Sequence, residues 1–371
     1  MRKQRSDGGT CVRILVTGGA GYIGSHVCKA LAASGFLPVV YDNLSRGHRW
    51  AVKWGPLEEG DVADTARLTG VINHHRPAAL MHLAGYTYVG ESVAHPLRYY
   101  CNNTAATAAL LEAVINTRLM PVVFSSTAAI YGIPGPVPIA EDHPAAPVNT
   151  YGFTKHVIER MLSDADRAYG LKSVSLRYFN AAGADPDANI GEAHNPETHL
   201  IPLVLAAARD GTPAKIFGDD YDTPDGTCVR DYIHVVDIAA AHVAAARYLL
   251  EGGSTDAFNL ANSRGYSVKE VIATAERVTG RTIACEISPR RPGDPAILIG
   301  CTDRARSVLK WEPKRSALES QMEDAWRWMT RSTAIGRPRH WLSATHQQTD
   351  ANDRDAAQRV KAEIRFLAPT L

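Results

Sequence analysis

Tyr151 and Lys155 stand four residues apart in YGFTK, at what reads as the first turn of a helix. That spacing puts a phenol and an ammonium on one face, about one turn from each other. A phenol ionises near pH ~10 and is useless as a base at neutrality unless its anion is favoured. The ammonium and a second cation in a dry cleft could lower it by roughly 3 units, about 4 kcal/mol of differential stabilisation. The tyrosinate would then take a proton from a substrate hydroxyl as hydride leaves the same carbon. Thr127 closes the hydroxyl run Ser125-Ser126-Thr127 at the end of an apolar strand, where it would hold the substrate hydroxyl or the tyrosine oxygen. Alone, YxxxK is most often a surface helix pair, and Thr127 alone is an ordinary strand-end hydroxyl. The chemistry therefore needs a hydride acceptor, and the chain must provide a place for one.

That place is the stretch TGGAGYIG, 17–24, which follows the apolar run Val12, Ile14, Leu15, Val16 and precedes a helix-like segment from Ser25 to Leu31. Gly18, Gly21 and Gly24 bend the chain, let backbone approach a pyrophosphate and pack helix on strand, while N–H groups at the helix N-terminus meet phosphate charge. The spacing is GxxGxxG rather than GxGxxG, and a β-α turn with no ligand could use the same residues. Asp42 adds the second signal. It ends a strand eighteen residues after Gly24, where a carboxylate accepts hydrogen bonds from an adenosine ribose and repels a 2′-phosphate. NAD is favoured over NADP, and the nearby Arg46 leaves that choice slightly open. The positive ring of NAD is the second cation that Tyr151 requires. Asp61, at the end of another short strand, either sits beside the adenine or caps the helix from Asp64 to His75. Ala84 and Gly85 end the apolar strand from Ala79 and are small enough for a cofactor to lie across it.

These pieces need a scaffold, and strand and helix signals alternate through the first half as in a doubly wound parallel sheet, a Rossmann α/β fold. The 371 residues are long for one core and comfortable for two. We expect a nucleotide-binding domain from 12–185 plus 234–265 and a smaller α/β substrate-binding domain from 186–233 plus 266–330. Residues 1–11 read as a disordered tail rather than a targeting peptide, because no apolar signal core follows the basic start. Residues 331–371 read as a polar C-terminal extension with a faint amphipathic patch at Val360, Ile364 and Leu367. Net charge is +1, from 40 basic and 39 acidic residues spread along the chain, so no footprint for nucleic acid or membrane is visible. Six cysteines without CxxC spacing and fourteen histidines without HExxH argue against a zinc site or a disulfide framework. A small-molecule substrate in a reducing cytoplasm is the expected setting, with no metal.

Several blocks carry a more specific resemblance: TGGAGYIGSH, YDNL, GESV, YGFTK, LRYFNAAGA, HLIP, DGTCVRDYIHV and RRPGDPA. Over residues 12 to about 330 the chain resembles the extended short-chain dehydrogenase/reductase superfamily, and within it the UDP-galactose (UDP-glucose) 4-epimerases. The resemblance implies cofactor contacts at Tyr22, Ile23, Asp42, Asn43, Leu44, Ser45, Arg46, Gly47, Asp61 and Val62. It implies further ones at Leu83, Ala84, Gly85, Tyr86, Thr87, Asn102, Thr127, Tyr151, Lys155 and Phe179. For a UDP-hexose it implies Thr127, Tyr151, Asn180, His199, Leu200, Ile216, Phe217, Arg230, Arg291, Asp294 and Leu298. Two guanidinium forks suit a diphosphate, whereas Arg290 is better read as a surface-solvated or carboxylate-paired residue. The implied reaction is interconversion of UDP-galactose and UDP-glucose by oxidation at C4, rotation of the 4-keto sugar and re-reduction with tightly held NAD. A homodimer is implied by the same analogy.

Three positions depart from the family pattern. Thr127 replaces a serine and keeps the hydroxyl. Thr87 stands where some relatives have a lysine near the cofactor, and His199 stands where others have an asparagine. Leu298, four after Asp294, replaces a bulky tyrosine that restricts some relatives to unacetylated sugars, so N-acetylated UDP-hexoses are a further expected substrate; a plain core leucine is the competing reading. A 4,6-dehydratase would carry an Asp-Glu pair after the threonine, and here those positions are Ala128 and Ala129. A reductase shares the same cradle, and a non-catalytic NAD sensor need not keep Thr127, Tyr151 and Lys155 together.

Overall fold

Val, Ile and Leu fill the first strands on both faces, a pattern that only a sheet covered by helices on each side can satisfy. The computed structural model describes residues 11–135, 138–291 and 293–334. Seven parallel strands form the main sheet: β1 (Arg13–Thr17), β2 (Leu37–Asp42), β3 (Leu57–Glu59), β4 (Ala79–His82), β5 (Val122–Thr127) and β6 (Ser173–Tyr178), with β10 (Asp256–Leu260). Their order is β10-β6-β5-β4-β1-β2-β3, so the chain reverses direction across the sheet between β1 and β4. Ligands of such sheets lie at that switch point, outside the carboxyl ends of the strands.

One face is covered by α1 (Tyr22–Ala33) and α8 (Val235–Leu250), with Val27, Leu31, Ile238 and Val243 packed on Ile14 and Val16. The other is covered by α2 (Thr65–His75), α5 (Ala106–Thr117) and α6 (Thr150–Tyr169), whose Leu68, Leu110 and Ile158 pack on Leu15, Leu80 and Phe124. Asp64 caps α2, its Oδ1 accepting the N–H of Arg67 at 2.9 Å. This removes the capping role considered for Asp61, which accepts instead from the N–H of Ala63 and from Asn43 Nδ2 at 2.9 and 2.7 Å. Before α5, the chain passes through α3 (Val89–Ala94), α4 (Pro96–Tyr99) and a π-helical turn over Tyr100–Ala105.

A second lobe is built on β9 (Val229–His234), which pairs with β7 (Asn180–Ala182), β11 (Gly265–Ser267) and β13 (Ile297–Leu298). This sheet joins residues from both sides of the boundary expected at 185 and 186. Beside it, β8 (Ala214–Phe217) pairs with β12 (Cys285–Ser288). Helices α7 (Leu200–Asp210), α9 (Val268–Thr279) and α11 (Leu318–Ala334) enclose a separate core of Val204, Leu205, Val271, Ile272 and Met322. The short α10 (Asp303–Leu309) returns to pack on the main lobe through Ala305 and Leu309. α11 carries the chain to Ala334 as helix, so the extension expected from 331 begins as regular structure. Residues 1–10 and 335–371, with Val360, Ile364 and Leu367, lie outside the described residues. Among the described residues, no helix is long and apolar enough to cross a membrane.

Candidate active site

Helix α6 delivers both members of the YxxxK pair. Asn149 caps it, Oδ1 accepting the N–H of Gly152 at 2.9 Å, so Tyr151 falls in the first turn. A Cβ on Gly152 would lie 2.5 Å from the Ala129 carbonyl oxygen, which means that α6 starts hard against the turn that follows Thr127. Thr127 is buried at the end of β5, and its hydroxyl accepts the N–H of Ala129 at 3.1 Å. Lys155 is 2% exposed; its Nζ donates to the Ser125 carbonyl at 2.9 Å and lies 4.8 Å from the Phe124 ring centre. Burial lowers this ammonium from its usual 10.5 to about 8.

Burial also raises the phenol of Tyr151, with the neighbouring Thr127 hydroxyl opposing the rise. The depression expected from Lys155 is therefore not supplied by the protein's own groups. Desolvation penalises the phenolate more than the Thr127 hydroxyl favours it. Only a further positive charge beside the ring reverses that balance.

Gly85 marks where the space in front of Lys155 lies. A Cβ there would stand 3.3 Å from Asn103 Oδ1 and 3.6 Å from Lys155 Nζ. Asn103, 2% exposed, accepts the N–H of Tyr86 at 2.8 Å and donates to the Tyr86 carbonyl and to Thr154 Oγ1 at 3.0 and 3.2 Å. The adjacent Asn102, the residue singled out in the sequence, donates to Asn103 Oδ1 at 3.0 Å. Asn103 thus ties β4's exit loop to α6, a role the sequence did not reveal because two asparagines in an unbroken helical pattern look alike.

The glycine turn is packed backbone to backbone. Gly18 has φ +72°, and a Cβ on it would meet Ala84 N at 2.5 Å; one on Gly24 would meet the Gly18 carbonyl oxygen at 2.1 Å. Gly21 forms the N-cap of α1 without a capping side chain, and a Cβ there would meet only Gly18 O at 3.3 Å. Strand β1, the turn and the start of α1 therefore make a tight cradle at the sheet's carboxyl end, where the first-turn amides of a helix fit a dinucleotide pyrophosphate. Asp42 braces it: Oδ2 accepts Ala20 N–H at 3.0 Å and Oδ1 accepts Leu44 N–H at 2.8 Å. Its neighbour Asn43 holds Ser45 N–H at 3.0 Å, and Gly47 approaches Asp42 closely enough that a Cβ would lie 3.0 Å from Oδ1. Tyr22 reaches across to donate to the Gly183 carbonyl at 2.6 Å. Ile23 and Leu44 pack against the core of the α1 face, Leu83 with them, while Val62 is buried on the other face and Ala84 packs there. Thr87 is exposed.

Arg46 is committed elsewhere. Its Nη2 pairs with both oxygens of Glu91, at 2.9 and 3.2 Å, and its guanidinium stacks over Tyr86 and Tyr88 at 5.4 and 5.1 Å. Glu91, from the GESV block, is therefore the partner that neutralises Arg46 within the protein.

The second lobe presents the charged residues. Arg230, on β9, is joined to Asp294 through Nη2 and donates from Nη1 to its own strand's Val229 carbonyl at 2.7 Å. Arg291 lies 4.0 Å above the Phe217 ring. Arg290 pairs with Asp220 at 2.6 Å, the carboxylate partnership anticipated for it. Asn180 donates to the Asp231 carbonyl at 3.0 Å, and Asp231 is fully buried, its carboxyl pushed up to about 7 by burial. Leu298 packs against Ala128, Tyr131, Phe179 and Ala261, beside the residues that follow Thr127. Two expected contacts are not free side chains: Ile216 is 3% exposed within the second core, and Leu200 packs against that core. His199 is held at Nδ1 by Glu192 and Glu197, 2.6 and 3.0 Å away.

The comparisons with known proteins agree with this geometry. The profile of the NAD dependent epimerase/dehydratase family matches residues 14–261. The UDP-glucose 4-epimerase of Rhizobium meliloti is 52% identical over 326 residues, 87% of this chain and 98% of that protein. The crystal structure of the UDP-glucose 4-epimerase from Brucella ovis in complex with NAD is 48% identical, with a TM-score of 0.83 over 86% of this chain and 98% of that one. That of the enzyme from Bifidobacterium longum in complex with NAD+ and UDP is 35% identical, with a TM-score of 0.83 over 87% and 99%. A Rossmann sheet, a glycine cradle with an acidic brace and a Tyr/Lys pair behind it are thus found in one chain, and that chain belongs to the NAD dependent epimerase/dehydratase family.

Proposed function

We propose that the protein is an NAD-dependent UDP-glucose 4-epimerase, interconverting UDP-galactose and UDP-glucose. The observation that carries this reading is the meeting of Thr127, Tyr151 and Lys155 at the carboxyl end of β5, next to the opening kept by Gly85. The relatives' names supply the substrate: UDP-glucose 4-epimerases matched across nearly their whole length. Bound at the Gly18–Gly24 turn, NAD supplies a hydride acceptor and donor for C4 of the sugar and a positive charge beside Tyr151. The amides at the start of α1 hold its pyrophosphate, and Asp42 its adenosine ribose.

Tyr151 Oη takes the proton of the C4 hydroxyl and later returns it, while Thr127 orients that hydroxyl. Lys155, fixed by the Ser125 carbonyl, holds a positive charge within one helical turn of the phenol. Arg230 and Arg291 grip the diphosphate, Arg230 exchanging Asp294 for phosphate oxygens. At the other end the sugar meets Leu298, an apolar group that offers little directional grip, so a 4-keto hexose can turn over while its anchor stays in place. Elimination of water has no acid or base at Ala128 and Ala129, which disfavours a dehydratase.

The decisive assay supplies the purified protein with UDP-galactose and measures UDP-glucose. Turnover by the wild type is expected, and Tyr151→Phe should reduce it on the order of 10³-fold while bound NAD and UDP affinity survive. Absence of turnover in an NAD-loaded wild type would overturn the epimerase reading. More than a few per cent of activity in Tyr151→Phe would remove only the base assignment.

A further inference from the structure

The loop from β7 to α7 brings together four side chains that the proton and hydride steps above do not use, among them His199, which the resemblance also implies as a UDP-hexose contact. Glu192, His194, Glu197 and His199 each turn one donor atom to a common point, all four atoms lying within 4.8 Å of one another. Both imidazoles aim Nδ1 at the same oxygen, Glu192 Oε1, at 2.9 Å from His194 and 2.6 Å from His199. Glu197 closes the other side, its Oε2 at 3.8 Å from His194 Nδ1 and its Oε1 at 3.0 Å from His199 Nδ1. Their order, ExHxxExH, matches neither CxxC nor HExxH, which is why the sequence argument against a zinc site passed over it.

We propose that these four residues form a binding site for one divalent first-row transition metal ion, zinc being the probe that defines it. Two imidazole nitrogens and two carboxylate oxygens are a donor set that zinc accepts in tetrahedral geometry. At a metal–ligand distance of about 2.0–2.1 Å, tetrahedral donors are about 3.3 Å apart, so the widest pair closes by up to about 1.5 Å while the closest, His199 Nδ1 and Glu192 Oε1 at 2.6 Å, opens by about 0.7 Å. Charge balances as well. The ion takes the place of the Nδ1–H hydrogens between the carboxylates; each imidazole binds it as the neutral ring with its proton on Nε2, and the two carboxylates balance the dication.

Outer contacts already orient the ligands, as at built metal sites. The Glu192 carbonyl accepts from Trp328 Nε1 at 2.9 Å, and the Ala193 carbonyl is 2.8 Å from His48 Nε2. Glu197 Oε1 accepts the N–H groups of Thr198 and His199 at 2.7 and 2.8 Å. Tyr22 and Tyr88 set their rings edge-on to His194, 6.2 and 5.9 Å between centres. His194 also lines a concavity with Gly21, Tyr22 and Arg46, so the ion would clip the entry to α7 of the second lobe against the cradle of the first.

The test uses tag-free, NAD-loaded protein, stripped with a chelator and then titrated with zinc chloride. One equivalent should bind and remain after desalting, and thermal melting should shift upward by several degrees. His194→Ala and His199→Ala should each lower retained zinc to below about a fifth of an equivalent, at unchanged NAD content. Substitution by cobalt should give the visible band of a tetrahedral site in the wild type, a readout that needs no variant. Failure of the wild type to retain zinc, retention undiminished in both variants, or an octahedral cobalt spectrum would each overturn the assignment.

Discussion

Around Gly18 and Gly24 the chain touches itself backbone to backbone, whereas Arg230 and Asp294 meet only through the tips of their side chains. The first contact has no slack: a methyl group on Gly24 falls 2.1 Å from a carbonyl oxygen. The second is an ion pair that phosphate can replace with little rearrangement. Under the function proposed above, a cofactor that stays through many turnovers would have a rigid seat, and a substrate that comes and goes would meet groups that must first let go of each other.

The contrast is broken most severely at the cradle. Gly24→Ala should cost more than about 3 kcal/mol through overpacking, read as a large fall in melting temperature and loss of NAD from the purified protein. Full NAD occupancy in that variant would show that the turn yields. Lys155→Met should abolish most turnover yet leave the fold as stable or more so. The folded pKa of Lys155, about 8, lies below its usual 10.5. The unfolded chain thus holds the extra proton between those values, and native stability rises with pH across pH 8–10.5. Below about pH 8 the buried charge costs up to roughly 3 kcal/mol, against about 1 kcal/mol for the lost hydrogen bond. Urea melts of both proteins should show the variant's advantage at pH 7 fading by pH 10; an advantage that grew with pH would contradict the buried ammonium.

The substrate end should respond more mildly. Arg230→Ala is expected to weaken UDP about 30-fold, roughly 2 kcal/mol, in calorimetry, with NAD content and melting temperature preserved. An equal loss of NAD would erase the distinction between the two ends. The smallest change is a selectivity. Leu298→Tyr should lower the ratio of UDP-N-acetylglucosamine to UDP-glucose turnover about tenfold; an unchanged ratio would make Leu298 a packing residue only.

How far the residues announced this arrangement depends on whether a periodic signal existed. β1 and β2 are near-continuous apolar runs ending in a glycine turn and Asp42, and both were legible. β7, β11 and β13 have only three, three and two residues, too short for any alternation to register. Asp61 looked able to cap the helix expected from Asp64, and only the approach of Arg67 N–H to Asp64 shows that Asp64 itself is the cap. The site was legible where it repeats a spacing, as in YxxxK. It was hidden where loops fold back: nothing in the order of residues places Glu91 on Arg46, or Glu192 on His199.

The wide turn over Tyr100–Ala105 gives the helix before α5 a length that cannot drift. A π turn holds one residue more than an α turn. Deleting one residue there would let ordinary winding resume with the flanking turns still in phase, because the wide turn absorbs that extra residue, and the direction of the side chains inside the turn would change. Asn103 would then point away from Tyr86 and Thr154, and the pocket floor would lose the peg that fixes it to the catalytic helix. An apparent irregularity in the winding is what aims Asn103 at its partners.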